Sequence, residues 1–177
     1  IKAWCALKVM SKVYGFGDPD GFVFNMSVGY DLDGIKGRKV NTYINNMMDA
    51  GKTAQFKECK KVLTELFPKE KDFIASISPN VSRSVTLSTL HGCPPQEIER
   101  IASYLLKEKH LHTFVKCNPT ILGYKTARSI LDSMGYDYIV FDEHHFNEDL
   151  QWEDAVPMFE RLQKLADKQD LEFGLKL

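Results

Sequence analysis

The chain has 177 residues, of which 27% are charged, and its formal net charge is −1. This charge balance gives no electrostatic basis for binding nucleic acid or an anionic membrane surface. No apolar run approaches the roughly 18 residues that a membrane span needs, so the sequence predicts no transmembrane segment.

The cysteines also restrict the class of protein. The chain has four, Cys5, Cys59, Cys93 and Cys117, and none of them is paired in a C-x-x-C spacing. Within this stretch, that spacing argues against a zinc ribbon, an iron–sulfur ligand run and a secreted disulfide framework. We therefore expect reduced thiols and a cytoplasmic protein.

The first half of the chain predicts one strand among several helices. The helical patterns place apolar side chains three and four residues apart, whereas the strand is a short apolar run between glycines. In chain order we expect a helix over 1–14 that stops at Gly15, a strand over 21–27, a polar glycine-containing loop over 29–37, and helices over 40–48 and 56–66, the second closed by Pro68.

From residue 84 onward, predicted strands and helices alternate, with strands beginning roughly 25 to 35 residues apart, as in βαβ units. This alternation predicts an α/β fold with a parallel sheet, either an open doubly wound sheet or a closed barrel. The predicted strands cover 84–90, 113–117, 138–141 and 171–177, and the predicted helices begin at Pro94-Pro95 and cover 126–134 and 152–168.

The ends of the sequence predict that it is an excised stretch of a longer protein. It begins with Ile1 inside a helical pattern and ends on a strand with no helix after it. A complete (β/α)₈ barrel needs about 250 residues. We therefore expect a single partial domain over 1–177, with the first strand and a helical excursion in 1–83 and regular βα units in 84–177.

Polar and reactive side chains follow each of the first four predicted strands. In parallel α/β folds the carboxyl ends of the strands meet at one edge, where ligands bind. We therefore expect these side chains to form one reactive rim, although the pattern does not specify a reaction. The segments concerned are 27–31, 91–95, 116–120 and 142–146.

Three stretches, 21–33, 84–101 and 114–123, resemble the amino-terminal region of the selenate reductase flavin/iron–sulfur subunit family, most distinctively in SVTLSTLHGCPPxEIE. That region is similar to the FMN-binding TIM barrels of dihydroorotate and dihydropyrimidine dehydrogenases. The resemblance implies part of a dihydroorotate dehydrogenase-like TIM barrel. It also implies an oxidoreductase subunit that transfers electrons between reduced nicotinamide and an acceptor.

The resemblance assigns cofactor contacts to residues on two strands. Lys116 matches V-K-x-x-P, a motif whose lysine contacts the flavin ring, where a cation stabilises negative charge at N1/O2 of reduced flavin. Asn118 either caps the turn before Pro119 or bonds the pyrimidine edge of the flavin. Asn25 and Ser27 are further candidates for flavin contact, with ordinary strand and turn roles as the alternative.

Two residues of the H-G-C-P-P segment are candidates for catalysis. Cys93 matches the S-C-P-N or S-C-P-H motif that reaches the substrate side of the flavin, and it precedes a helix, where a thiolate is favoured. The alternative is a semi-buried structural thiol. His91 either transfers protons or bonds the loop backbone. The adjacent histidines of 142–145 point in different directions, so we predict no metal site there.

FMN is expected only in the intact barrel, because the resemblance places the phosphate-binding strands beyond Leu177. FAD and iron–sulfur clusters are expected in other segments of the parent protein, and the stretch alone should be inactive. The expected partners are redox domains or subunits and a small-molecule substrate. Two alternatives remain: a non-catalytic barrel that docks neighbouring redox domains, and a metal- or cysteine-dependent barrel lyase.

Overall fold

A computed structural model of the chain describes residues 1–88 and 92–176. The chain divides into two compact units, the first comprising Ile1–Met26 and Gly37–Arg83 and the second Ser27–Lys36 and Ser84–Leu177.

The described residues form helices and four strands, with two short 3₁₀ turns at Pro68–Glu70 and Pro119–Leu122. In chain order the elements are α1 (Lys2–Tyr14), β1 (Asn25–Val28), α2 (Leu32–Lys36), α3 (Arg38–Met48), α4 (Ala54–Leu66), α5 (Lys71–Ser76), β2 (Ser84–Leu87), α6 (Pro95–Lys107), β3 (His112–Lys116), α7 (Tyr124–Ser133), α8 (Glu143–Glu148), α9 (Trp152–Lys168) and β4 (Phe173–Lys176).

The first unit is built on the packing of α1, α4 and α5. Helix α1 ends at Gly15, whose φ of 67° is the left-handed conformation that glycine adopts without strain. Helix α4 begins after Thr53, whose side chain accepts the Phe56 N–H at 3.2 Å and caps the helix. Apolar and aromatic side chains fill the interior: Trp4, Cys5, Val9, Ala50, Phe56, Leu63, Ile74, Ile77 and Val81.

Strands β2, β3 and β4 of the second unit belong to a four-stranded sheet in the order β1-β2-β3-β4. Strands β2, β3 and β4 run parallel, and α6 and α9 pack against each other beside them. A bidentate pair joins these two helices, with Arg161 donating to both Glu99 oxygens at 2.7 and 2.8 Å. Val85, Leu87 and Val115 are fully buried and share one face of the sheet. Phe173 of β4 lies on the same face and packs on Phe159 of α9.

The opposite face of the sheet carries Phe114 and Gly174, which are partners in the β3–β4 register. A Cβ at position 174 would lie 2.6 Å from the Phe114 ring, far inside contact distance. Glycine is therefore required at this position, because it lets the ring of one strand extend across the next.

The structure confirms the predicted parallel α/β arrangement and the predicted helices, while it corrects two segments near β1. The strand begins at Asn25 rather than at residue 21, because Phe22 and Phe24 pack their rings on Trp4, with centroids 5.4 and 5.9 Å away. The predicted loop over 29–37 contains α2. The predicted strand over 84–90 ends as β2 at Leu87, and residues 89–91 lie outside the described residues.

The predicted strand over 138–141 is wrong. Arg128 of α7 donates to the carbonyl oxygens of Tyr136 and Ile139, at 2.7 and 2.5 Å, so these groups are engaged by a side chain rather than by a strand. The ring of Phe141 packs against those of Tyr124 and Phe146. Strand β3 consequently pairs directly with β4, and one long connection joins them.

Candidate functional site

A small cavity lies at the carboxyl end of β3, where the loops after β2 and β3 meet the segment between α8 and α9. Its volume is about 20 Å³, which is room for about one water molecule. The cavity is lined by Cys93, Ile98, Lys116, Cys117, Asn118, Thr120, Ile121, Asp149 and Leu150.

Three predicted site residues line this cavity together. Cys93 directly precedes the residue that caps α6, Lys116 is the last residue of β3, and Asn118 lies two residues further along the chain. They come from different parts of the sequence, and the parallel sheet places them at its carboxyl-terminal edge, where ligands bind in such folds. Their individual roles stay predictions.

Asp149 holds this rim together. It is buried, with 7% of its surface exposed. One carboxylate oxygen accepts the Gly92 N–H at 3.0 Å, and the other accepts the Thr120 hydroxyl at 2.7 Å and the Asn118 amide at 3.5 Å. Hydrogen bonds to a charged acceptor are the stronger kind, so Asp149 joins the loop before Cys93 to the loop after Lys116.

Asp149 was not predicted from the sequence, whereas Thr120 belongs to the predicted rim segment 116–120 but had no assigned role. No motif marks Asp149, and its sequence neighbours do not distinguish a buried acid from a surface acid. The sequence places Asp149 in a connection between two predicted elements. This feature is too general to select one carboxylate among the chain's 24 acidic residues.

The surroundings of Cys93 do not favour the thiolate form. Burial raises the pKa of the Cys93 thiol, and the Glu97 carboxylate raises it further. A raised thiol pKa keeps the sulfur protonated at neutral pH. The Cys93 side chain is therefore a potential proton donor rather than an activated nucleophile.

The hydrogen bond of the Asn118 side chain decides whether this side chain caps the following turn. It occupies the capping position of the 3₁₀ turn Pro119–Leu122, yet its side chain makes no capping hydrogen bond. Its amide donates to Asp149 instead, so the capping alternative for its side chain is wrong.

Asn25 and Ser27 do not line the cavity. They are exposed on β1, where they alternate with the buried Met26 and Val28. His91 lies outside the described residues.

The segment after the predicted fourth strand is an exposed helix, not part of the rim. Asp142 caps α8 by accepting the His144 N–H at 2.8 Å, and His144 pairs with Glu148 at 3.1 Å. Among residues 1–88 and 92–176, no group of histidine, cysteine and acidic side chains is arranged to hold a metal ion.

None of the helices in the described part of the chain is both long and apolar enough to cross a membrane.

Parallel strands with helices on one face, and polar residues at the carboxyl ends of the strands, are features of part of a TIM barrel. The chain belongs to the family described as "Oxidoreductase YgfK, N-terminal TIM-barrel domain", whose model matches residues 1–177. The match confirms the predicted fold and an oxidoreductase family. Selenate reductase as the activity stays a prediction.

Two curated relatives are similar over the whole chain. Each is named "Putative oxidoreductase YgfK", one from Escherichia coli strain K12 and one from Escherichia coli O157:H7, and each is 42% identical over 193 residues. The alignment covers 100% of this chain and 19% of each relative, so the chain spans about a fifth of their length. No solved structure matches the chain.

Proposed function

We propose that this barrel domain binds FMN and lies on the electron path of an oxidoreductase, between reduced nicotinamide and an acceptor. The observation that carries the proposal is the grouping of Lys116, Asn118 and Cys93 at the carboxyl end of β3. A cation and an amide suit the pyrimidine edge of a flavin, and a protonated thiol suits proton donation to a substrate. Selenate as the acceptor stays a prediction.

The side chains present fit FMN in their chemistry. Lys116 is exposed and provides an ammonium group for the N1/O2 edge of the flavin, and Asn118 provides an amide that already donates to Asp149. The cavity beside them has a volume of about 20 Å³, so it admits a water molecule and not a flavin ring. When bound, FMN would supply hydride and electron transfer.

Cys93 is proposed as the proton donor on the substrate side. Burial and Glu97 raise the pKa of its thiol, so the proton is retained at neutral pH. A general acid must hold its proton until the reacting group needs it. Asp149 would keep the loop of Cys93 in place through the Gly92 N–H, and it takes no proton in this scheme.

The wider setting belongs to the same proposal. The parent protein would be cytoplasmic and would carry FAD and iron–sulfur clusters in other domains or subunits, which exchange electrons with this barrel. The chain spans 19% of its curated relatives, which is compatible with such additional domains.

A docking role without chemistry is the second candidate. The exposed apolar side chains of α1 favour it: Leu7 is 43% exposed and Tyr14 57%, and Phe16 just after the helix is 71% exposed. Exposed apolar patches of this kind mark interaction surfaces. In that case the barrel would hold redox domains together while they exchange electrons.

The test is a reductive titration of the full-length protein and its Lys116→Met variant. If Lys116 faces the flavin, the variant loses a charged hydrogen bond mainly to the reduced form, worth about 1.5–3 kcal/mol. The flavin midpoint potential should therefore fall by about 30–65 mV for a two-electron couple. Lys164→Met, which removes an exposed lysine of α9, is the matched control and should leave the potential unchanged.

Acid release of flavin from the purified full-length protein decides between the two candidates. FMN in the supernatant supports the redox role. Protein that carries no FMN would favour the docking role over the redox role. An unchanged flavin potential in a fully loaded Lys116→Met variant would show that Lys116 does not contact the flavin.

A further inference from the structure

We propose that Lys116 and Lys176 form an anion-binding pair at the carboxyl ends of β3 and β4. The two residues are Cα partners in the parallel register of these strands. Neighbouring strands lie about 4.8 Å apart, and side chains at paired positions leave the sheet on the same face. Two ammonium groups therefore project side by side from this edge of the sheet.

The face that carries both lysines is opposite to the one on which α9 packs through Phe159 and Phe173. Val115, directly before Lys116, is fully buried on the helix side, and successive residues of a strand point to opposite faces. In a TIM barrel the face away from the helices is the interior, and the carboxyl ends of the strands form the ligand-binding mouth. The lysine pair thus lies where this fold binds its ligands.

Neither lysine of the pair forms an ion pair within the described part of the chain. The ion pairs there join other residues, and both Lys116 and Lys176 are exposed. Two neighbouring cations repel each other. A bound anion offsets this repulsion.

The surface beneath the lysines is closed by one aromatic ring. Phe114 and Gly174 are register partners, two positions before Lys116 and Lys176 on their strands. Because position 174 has no Cβ, the Phe114 ring extends towards β4, within 2.6 Å of where a Cβ would stand. The ring keeps an anion at the mouth, and its apolar surface strengthens the attraction between anion and ammonium.

The ligand chemistry that suits two adjacent ammonium groups is an oxygen anion that presents charge on more than one atom. A free oxyanion such as sulfate has this chemistry, and so does the N1/O2 edge of reduced flavin. Binding of reduced flavin by this pair rests on the proposed function, whereas binding of a free oxyanion does not. Lys176 then becomes a binding residue that no sequence motif marked.

The experiment measures amine acetylation of individual lysines in the full-length protein by mass spectrometry. Labelling is followed during a titration with sodium sulfate at constant ionic strength, and separately before and after reduction of any bound flavin. We expect an anion to protect Lys116 and Lys176 together, while Lys164 keeps its reactivity. In Lys176→Met, protection of Lys116 by sulfate should need about tenfold more sulfate or higher.

Lys176→Arg keeps the positive charge and should restore protection of Lys116, which separates the loss of charge from a change of fold. Protection by sulfate whether or not flavin is bound identifies a free oxyanion site. Protection only after flavin reduction identifies the flavin edge as the anion. The pair is refuted if neither condition protects the two lysines, or if Lys176→Met leaves protection of Lys116 unchanged. Protein without flavin contradicts the proposed function alone, because the sulfate titration still tests the pair.

Discussion

The two units of the chain bury charge in different ways. The first unit buries a cation: the side chain of Lys8 is 5% exposed and pairs with Asp20 at 2.5 Å, while its Nζ lies 4.2 Å from the centre of the Trp4 ring. The second unit buries an anion, Asp149, which accepts hydrogen bonds from the loops after β2 and β3.

The surroundings of the two charges distinguish the one that belongs to the candidate functional site. Lys8 lies among apolar and aromatic side chains, and its partner Asp20 is 82% exposed, so the pair fastens a surface loop to α1. Asp149 lies at the carboxyl end of a parallel strand beside Cys93 and Lys116. Both burials cost desolvation energy. A buried charge therefore marks a site only where the fold also places reactive groups.

The largest expected effect is in the first unit, for Trp4→Ala. Trp4 packs on Phe22 and Phe24, and its indole N–H donates to the Ser78 carbonyl at 3.0 Å. Removing a buried aromatic side chain costs about 3–5 kcal/mol. Amide hydrogen exchange in α1 and α4 of the full-length protein should accelerate accordingly, while exchange in β3 and α6 stays slow.

Tyr14→Ala is the control for Trp4, because Tyr14 lies on the same helix with 57% of its surface exposed. It should change exchange in α1 little. Equal acceleration in β3 and α6 upon Trp4→Ala would show that the two units do not differ as described.

The next effect concerns the second unit, for Asp149→Ala. The substitution leaves the Gly92 N–H and the Thr120 hydroxyl without their acceptor, and each such loss costs about 1–3 kcal/mol. The loop that carries Cys93 should open, so iodoacetamide should alkylate Cys93 faster in the full-length protein. In Asp149→Asn, which keeps one acceptor oxygen, the alkylation rate of Cys93 should lie between those of the wild type and Asp149→Ala.

Asp137→Ala is the matched control, because Asp137 is an exposed acid of the same β3–β4 connection. It should leave the alkylation rate of Cys93 unchanged. If Asp149→Ala also leaves that rate unchanged, Asp149 does not hold the Cys93 loop.

The sequence predicted those parts of the fold and site in which local pattern and tertiary position agree. Lys116 could be found because it ends a predicted strand and matches V-K-x-x-P, and Cys93 because it matches the S-C-P motif and lies at the start of a helix. The segment 138–141 failed because its apolar pattern is local, whereas Arg128 and a cluster of aromatic rings determine its structure. Asp149 and the pairing of Lys116 with Lys176 depend on contacts between distant residues, which a single sequence does not reveal.

The smallest expected effect is a pH dependence of stability in the first unit, and it arises from Cys5. Burial raises the pKa of this thiol from 9.0 to about 12, and its neighbour Cys59 adds to the shift. In the unfolded chain Cys5 ionises near its ordinary pKa, while in the folded chain it stays protonated.

The sign of the pH dependence follows from this difference. The contribution of Cys5 to stability is complete below pH 9 and is lost as pH rises from 9 towards 12, because only the unfolded state releases the proton in that interval. The slope is about 1.4 kcal/mol per pH unit at most.

Pulse proteolysis of the full-length protein between pH 8 and about 10.5 measures this slope, with cleavage in α1 and α4 mapped by mass spectrometry. Cys5→Ala should lower the stability of the first unit at every pH and also reduce the slope, whereas Cys93→Ala in the second unit should leave cleavage in α1 and α4 unaffected. A wild-type slope that persists in Cys5→Ala would assign the alkaline loss of stability to another group.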